Sequence, residues 1–168
     1  MNKLTKLAVC MALPLSGAII VSPAVAATDT TTFPVTANVV DSCTVAATPL
    51  AFGNYNGISG VTLDATATIT PTCTLSTAYT MTLDAGLGAG ASLTTRKLSG
   101  PAGATLDYAI YTDPTRSTFW GNGGGGTGTR AGAGNGAAQS GLMYGRIPAS
   151  QATAVGSYLD TITVTLSY

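Results

Sequence analysis

The C-terminal stretch from Thr161 to Tyr168 is the part of the sequence that most restricts the fold. Its hydroxyl-bearing residues alternate with four apolar ones, Ile162, Val164, Leu166 and Tyr168. A period of two is typical of a β-strand that buries one face, and it does not fit the 3.6-residue period of a helix. Such a strand needs a hydrogen-bonding neighbour on each side unless it lies at an edge. No later segment follows in this sequence, so we expect one neighbour to come from elsewhere.

A segment near the other end of the sequence shows the same alternation. Between residues 32 and 39, the side chains of Phe33, Val35, Ala37 and Val39 fall on one face of an extended chain. One apolar strand is therefore present at the start, and one neighbour is missing after the end. We expect these two segments to pair as strands between different molecules.

The rest of the chain also favours β-structure, because no segment shows a sustained helical stripe of apolar residues. Short runs rich in Thr, Val, Ile and Tyr are separated by Gly, Pro and Asn, which predicts a sandwich of roughly seven to eight strands. Besides the two end segments, the expected strands are 43–52, 64–75, 79–83, 96–99, 106–112, a short one ending at Trp120, and 142–147.

The segment from Gly121 to Gly141 consists almost wholly of small residues. It lacks apolar side chains that would anchor it, so we expect a long mobile loop. Gly121, Gly123 and Gly126 have the spacing of a dinucleotide-binding loop. The match does not predict a phosphate site, because no helical period follows and no acidic residue lies about twenty positions on.

The first 26 residues predict an export signal. Lys3 and Lys6 give a basic start, the stretch 7–21 is mostly apolar, and residues 24–26 have the small-x-small form of a cleavage site. A retained membrane anchor is the alternative, but this mostly apolar stretch of fifteen residues is shorter than the ~20 that a spanning helix needs. Cleavage would leave residues 27–168, which is the length of one domain.

Two cysteines remain after the predicted cleavage, because Cys10 leaves with the signal. In the oxidising compartments outside the cytoplasm, Cys43 and Cys73 would most simply pair with each other. Their bridge would close a loop of 31 residues. The chain-entropy estimate for such a loop is a stabilisation of roughly 3–4 kcal/mol.

The charged residues exclude several classes of function. Residues 27–168 carry five basic and seven acidic side chains, a net charge of −2, with no basic cluster that would bind nucleic acid. The chain has no His and no Glu, so we expect no enzyme, no metal site and no cofactor. Asp107 and Asp113 flank a strand that contains tyrosine and would be the candidates for a sugar or calcium contact. We interpret them instead as solvated turn residues.

Several fragments, taken in order, resemble the spore coat protein U family, which includes the subunits of archaic (Csu-type) chaperone–usher pili. The resemblance covers nearly the whole of residues 27–168. The fragments are Cys43-Thr44-Val45, Thr48-Pro49-Leu50-Ala51-Phe52-Gly53-Asn54-Tyr55, Ile69-Thr70-Pro71-Thr72-Cys73, Leu87-Gly88-Ala89-Gly90, residues 106–113, Trp120-Gly121, Tyr144-Gly145-Arg146-Ile147-Pro148-Ala149 and residues 156–161. The Gly-rich bias of 121–141 is not part of the family pattern.

The resemblance implies an immunoglobulin-like sandwich, residues 43–168, that lacks its last strand. A periplasmic chaperone would hold the subunit, an outer-membrane usher would assemble it, and the N-terminal segment of the next pilin would complete it. Residues 27–42 would then be the donor segment, with Phe33, Val35, Ala37 and Val39 as donor residues. Ile162, Val164, Leu166 and Tyr168 would border the groove. The implied function is a structural subunit of a surface pilus that supports adhesion and biofilm formation.

Two other classes of protein stay open from the residues alone. The aromatic end at Tyr168, with apolar residues at two-residue steps before it, resembles the last strand of an outer-membrane β-barrel. Against a barrel stand the expected disulfide, too few aromatic residues, and strands mostly shorter than the ~9–11 residues that a barrel requires. A self-contained secreted sandwich, either a coat protein or a carbohydrate-binding module, is the third class.

Overall fold

The computed structural model describes residues 23–168, so most of the predicted export signal, including its apolar run, lies outside the described residues. The chain separates into two units at the boundary between Ala37 and Asn38, and the folded domain belongs to the second. Its eight strands are β1 (Cys43–Ala47), β2 (Leu63–Cys73), β3 (Ala78–Leu83), β4 (Arg96–Ser99), β5 (Thr105–Tyr111), β6 (Arg130–Ala133), β7 (Gly141–Ile147) and β8 (Val164–Ser167).

The eight strands form two antiparallel sheets. The first contains five strands in the order β1-β2-β7-β5-β4, and the second contains three in the order β6-β3-β8. Between residues 23 and 168, a single 3₁₀ turn at Pro101–Gly103 is the one helical element, and no helix there is long and apolar enough to cross a membrane. The predicted all-β sandwich is confirmed.

The core lies where the inner faces of the two sheets meet. Alternate residues of β2, β3 and β7 point inward, and Ile69, Met81 and Ile147 are almost fully buried. This is what a period of two produces when one face of each strand is covered by the other sheet. Trp120, which follows β5, is also fully buried and donates its indole N–H to the carbonyl oxygen of Met81 at 3.1 Å.

The disulfide between Cys43 and Cys73 is present, with an S–S distance of 2.00 Å. The two residues lie directly opposite each other, at the first pair of β1 and the last pair of β2. The predicted pairing is confirmed. The bridge fastens β1 to the rest of its sheet at the end where residues 27–42, called here the leader segment, join the domain.

The expectation of a long unstructured loop across residues 121–141 is wrong. Strand β6 lies within it and pairs with β3, so that Met81 faces Arg130 and Ala78 faces Ala133. Two contacts of Arg130 supply the anchoring that the small residues do not. The guanidinium of Arg130 lies 4.8 Å from the centre of the Trp120 ring and donates to the carbonyl of Thr112 at 2.7 Å.

Glycine is itself part of the reason that this segment packs. At Gly132 in β6, a Cβ atom would lie 2.5 Å from the hydroxyl oxygen of Tyr79, so any side chain would displace the tyrosine ring. At Gly134, a Cβ atom would lie 2.1 Å from the carbonyl oxygen of Thr74. A low-complexity sequence therefore marks close packing here, because glycine permits the approach of neighbouring groups.

Residues 27–42 form no regular secondary structure. Three of the four predicted donor residues are large, and all three are exposed: Phe33 by 79%, Val35 by 85% and Val39 by 92%. Large apolar side chains exposed at every second or fourth position are unusual in a folded protein.

Candidate functional site: an apolar groove between two sheet edges

The candidate site lies between strands β1 and β8, which belong to different sheets. In the described part of the chain, β1 pairs with β2 alone and β8 pairs with β3 alone. Each is therefore an edge strand with one row of backbone N–H and C=O groups free of sheet partners. The edge at β4 is better covered, because the amide and carbonyl of Leu159 both bond to Ser99 on the free side of that strand.

The inward-facing side chains of these two edge strands are less buried than those of the central strands. Ile162, Val164 and Leu166 alternate with exposed threonines and pack against the core, but each remains only half-buried. The same is true of Val45 in β1. The alternation is therefore as regular as in β2 and β3, but its apolar side chains are less buried.

Between the two edges lies an open groove with a volume of ≈ 340 Å³. Its lining is mostly apolar and comes from both sheets and from the segment after β1. The lining residues are Ala47, Thr48, Pro49, Leu50, Phe52, Leu83, Leu98, Tyr108, Ile110, Met143, Leu159, Asp160, Thr161, Ile162 and Val164. An apolar channel bordered by two free strand edges can accept an extended chain, which would bond to the edges and place alternate side chains inside.

The floor of the groove depends on Gly145 in β7. A Cβ atom at this position would lie 2.8 Å from both Leu50 and Phe52, so the absence of a side chain lets both residues pack against the sheet. The Phe52 ring then meets Tyr108 edge-on, with 5.9 Å between ring centres. This contact explains a glycine in the middle of a strand, where glycine is otherwise unfavourable.

A carboxylate lies at the end of the groove next to Leu159. Asp160 accepts hydrogen bonds from the Tyr108 hydroxyl at 2.7 Å and from the amides of Leu87 and Thr161 at 2.7 and 2.8 Å. Burial, together with the neighbouring Asp160 carboxylate, raises the pKa of Tyr108, so the phenol stays protonated and keeps donating. These bonds hold the chain that leads into β8 against the body of the domain.

Arg96 is the one fully buried charged residue in the described part of the chain. It donates to three backbone carbonyl groups, with two bonds to Asp84 at 3.0 and 2.7 Å, one to Trp120 at 2.7 Å and one to Leu93 at 3.1 Å. Burial lowers its pKa, while Tyr108 and nearby aspartates oppose the shift. A guanidinium surrounded by carbonyl oxygens fixes three loops at once, and it is a structural group because its donors point at the backbone.

The predicted groove residues lie at different depths. Ile162 and Val164 line the groove, Leu166 packs against the core beside it, and Tyr168 is 62% exposed. The sequence reasoning missed the opposite wall at Leu50 and Phe52 and the polar end at Asp160. The two large apolar residues Leu50 and Phe52, two positions apart, were a usable signal for that wall, but no sequence pattern indicates where Asp160 lies.

The aspartates considered as a sugar or calcium site have other partners. Asp107 forms an ion pair with Lys97 at 2.6 Å. Asp113 accepts from the backbone of Ser117 and Thr118 within its own turn. Across residues 23–168, no group of three or more acidic, His or Cys side chains is arranged to hold a metal ion.

Comparison with known proteins gives consistent relatives. Among solved structures, a chain of the CsuC–CsuE chaperone–tip adhesion subunit pre-assembly complex, from archaic chaperone-usher Csu pili of Acinetobacter baumannii, matches with a TM-score of 0.56 at 18% identity. The match covers 77% of this chain and 40% of that one, so it is a likeness of fold over part of a longer protein.

Sequence comparison identifies the family. Protein U of Myxococcus xanthus is 33% identical over 161 residues, and the alignment covers 88% of this chain and 89% of that protein. The matching family is a structural coat-protein family and not an enzyme family. Since the family's sequence model matches residues 29–165, the chain belongs to the Spore Coat Protein U domain family.

Proposed function

We propose that this protein is a structural subunit of a cell-surface pilus and that subunits join by donating a strand. Within residues 27–42 of one copy, the stretch 33–39 is the strand that is donated, and the groove between β1 and β8 of the next copy is the acceptor. The donor adds a strand to two free edges, and Phe33, Val35, Ala37 and Val39 enter the groove.

The observation that carries the proposal is the match between an uncovered groove and an uncovered segment in the same chain. The groove borders half-buried Ile162 and Val164. The segment exposes three large apolar side chains on one face. Burying Phe33, Val35 and Val39 would contribute about 2 kcal/mol each as an upper estimate. New backbone hydrogen bonds along both edges would add ~1 kcal/mol each.

The same open groove requires a protected route to the surface. An apolar groove beside free strand edges aggregates readily unless something covers it. A periplasmic chaperone would cover it after export, and an outer-membrane usher would exchange the chaperone for the next donor segment. The crystal structure with the related fold is itself a chaperone–subunit pre-assembly complex, which supports this order. The finished fibre would support adhesion and biofilm formation.

Material sheared from the cell surface tests the proposal directly. In detergent without heating, the chain should run as a ladder of multimers, because the joints are non-covalent but long-lived. Boiling should collapse the ladder to a monomer, and electron microscopy with an antibody to the chain should decorate filaments. A chain that is monomeric before heating and absent from filaments would overturn the proposal.

A further inference from the structure

The point where the leader joins the domain is held by a small polar cluster, which we call the Asp41 clamp: Asp41, Ser42, Thr74 and Thr77. The hydroxyl of Thr77, a buried residue, donates to the Asp41 carboxylate at 2.7 Å and lies 2.6 Å from the hydroxyl of Thr74. Ser42 and Thr74 then exchange bonds: the Ser42 amide donates to the Thr74 hydroxyl, and the Thr74 amide donates to the Ser42 carbonyl. From Asp41 onward, the backbone is fixed to its own domain.

The clamp leaves a very short joint between donor and body. The last donor residue is Val39 and the first clamped residue is Asp41, so Val40 alone separates them. Two Cα steps span roughly 7.6 Å at most. A domain whose Val39 lies in the groove of a neighbour therefore has its own clamp within one side-chain length of that neighbour's surface.

The clamp and one end of the groove lie at opposite ends of the domain. Strand β2 runs from Leu63 to Cys73, and its 11 residues span about 33 Å. Cys73 is next to the clamp, and we call this end the clamp pole. The segments 53–61 and 148–158 lie at the other end and contact each other, since the Ser150 amide donates to the Ser59 carbonyl at 3.1 Å. We call this end the far pole.

The groove runs between these poles. Strand β1 starts at Cys43, and the chain after it runs toward Phe52. Strand β8 runs the opposite way: it starts beside Leu83 and ends beside Thr80, which is three residues from Thr77 of the clamp. The end of the groove at Phe52 and Leu159 is therefore nearer the far pole.

Repetition along a fibre selects the direction in which the donor enters. Each copy's own donor strand leaves from its clamp pole and leads to the next neighbour. If the incoming Val39 also lay at the clamp pole of the acceptor, that pole would have to contact two neighbouring domains at once. If Val39 lies at the far pole, each copy uses one pole for each neighbour. Only this second arrangement repeats head to tail without two bodies competing for one surface.

We propose that the far pole of each copy docks against the clamp pole of the next copy, forming a second interface beside the donated strand. This inference rests on the proposed function. The far pole exposes Ile58 by 92%, Val61 by 69% and Val155 by 100%, and the clamp pole exposes Leu75 by 74%. Apolar residues exposed at both ends of one domain fit a second copy as the partner, because the short joint brings these two ends together.

Cysteine pairs across the two poles test this interface in assembled fibres. Leu75→Cys and Val155→Cys are combined in one chain, sheared fibres are treated with a short bis-maleimide, and each thiol adds across one maleimide double bond. The two positions lie at opposite ends of a single copy, so cross-linking joins neighbours. A boiling-resistant ladder of multimers is expected. The matched control combines Leu75→Cys with Leu142→Cys, which is 47% exposed on β7, away from both poles, and should give no ladder.

The outcomes separate this inference from the proposed function. In one outcome, filaments form normally while neither Val155→Cys nor Ile58→Cys, each combined with Leu75→Cys, gives a cross-linked ladder. That result overturns the docked poles but does not contradict strand donation. Failure of the unaltered chain to form filaments overturns both. A ladder that is equally strong in the control pair also overturns the specific contact.

A second variant tests the clamp without touching either apolar patch. Thr77→Val keeps the shape of the side chain but removes the hydroxyl that holds Asp41, so the free joint lengthens and becomes flexible. Cross-linking between positions 75 and 155 should fall severalfold, while filaments still form. Thr77→Ser keeps the hydroxyl and should retain the full yield. Equal yields for Thr77→Val and the unaltered clamp would show that the clamp does not set the joint.

Discussion

The two sides of this sandwich differ in how completely they are closed. Around Trp120, a sequence made largely of glycine is held by close contacts at a few positions, such as Gly132 against Tyr79, and the neighbouring Trp120 and Arg96 are fully buried. Around the groove, a regular apolar alternation stays half-exposed beside two free strand edges. Closure therefore follows from the presence of a neighbouring element and not from apolar content. A few well-placed large side chains are enough to order small residues, whereas apolar strands without a neighbour stay open.

The largest effect is expected from a change in the donor segment that prevents it from filling the groove between β1 and β8. Val35→Asp would place a carboxylate without a partner in the apolar groove, at a cost of several kcal/mol. Filament assembly should be abolished, while export and capture by the chaperone continue. Filament counts by electron microscopy and subunit levels in the periplasm measure the two effects.

The control for this change lies on the opposite face of the same segment. Thr36→Ser should leave assembly unchanged, because residue 36 points away from the groove in an alternating strand. If the Val35 variant fails to fold with its chaperone, residue 35 belongs to its own domain, and strand donation has no basis.

The second prediction closes the groove within one chain. A short turn and a second copy of residues 31–40 are added after Tyr168, and the original residues 27–40 are removed. The added strand should fold back at little loop-closure cost and give a soluble monomer, stabilised by several kcal/mol over the same chain without the copy. Thermal melts of the two proteins measure the difference, and equal midpoints would contradict an open groove.

The third prediction concerns the covalent attachment of the groove wall. Replacing Cys43 and Cys73 together with Ala should lower the free energy of unfolding by roughly 3–4 kcal/mol, because β1 loses its link to β2. Denaturant unfolding of the self-complemented chain from the second prediction, with no chaperone present, measures this free-energy difference. Reduction of the native protein should produce a change of similar size, and an unchanged midpoint in both cases would show that pairing with β2 alone holds β1.

The fourth prediction concerns the closed side of the sandwich. Arg130→Met keeps an apolar stem but loses the contact with Trp120 and the bond to the Thr112 carbonyl, which should cost about 1–2 kcal/mol. Ala131→Ser, on the exposed face of the same strand, should cost almost nothing. Hydrogen exchange of the β6 amides should rise in the Arg130 variant and leave the groove strands unaffected. A uniform rise across both sheets would contradict the separation of the two sides.

The smallest expected effect is an acid dependence at the groove. Burial tends to raise the pKa of Asp84, but hydrogen bonds from Thr163 and Gly86 outweigh burial and bring the pKa below its ordinary value of 3.8. The stability that Asp84 contributes is therefore present above that value and is lost as the pH falls through the lower, folded-state pKa. Asp84→Asn should flatten this part of the acid unfolding curve, and Asp29→Asn in the leader should not.

Most of the fold could be predicted from the sequence, because alternation reports a covered face directly. Strands β2, β3, β4, β5 and β7 lie within two residues of their expected bounds. Strand β6 could not be predicted, since its packing depends on contacts of Trp120 and Tyr79 that are distant in sequence. Strand β8 is shorter than expected and begins at Val164, because Thr161 and Thr163 bond instead to the carboxylates of Asp160 and Asp84.

The groove could be predicted only in part. The four apolar residues from Ile162 to Tyr168 indicated one wall, and two of them line it. The other wall requires Leu50 and Phe52 to fold over Gly145, which no local pattern specifies. The Asp41 clamp was equally invisible, because it joins a leader residue to Thr77 across 36 positions.

The location of the disulfide has a mechanical consequence for a fibre under tension. A pull transmitted along a donated strand would enter the domain at Asp41 and reach β1 at Cys43, its first residue. Force applied to the end of an antiparallel strand peels its hydrogen bonds one pair after another, starting from the pulled end. Here the first pair is Cys43 with Cys73, and it is joined covalently. In the proposed fibre the load would therefore pass directly into β2, an interior strand of the five-stranded sheet, and β1 would not be unzipped from the end that bears the force.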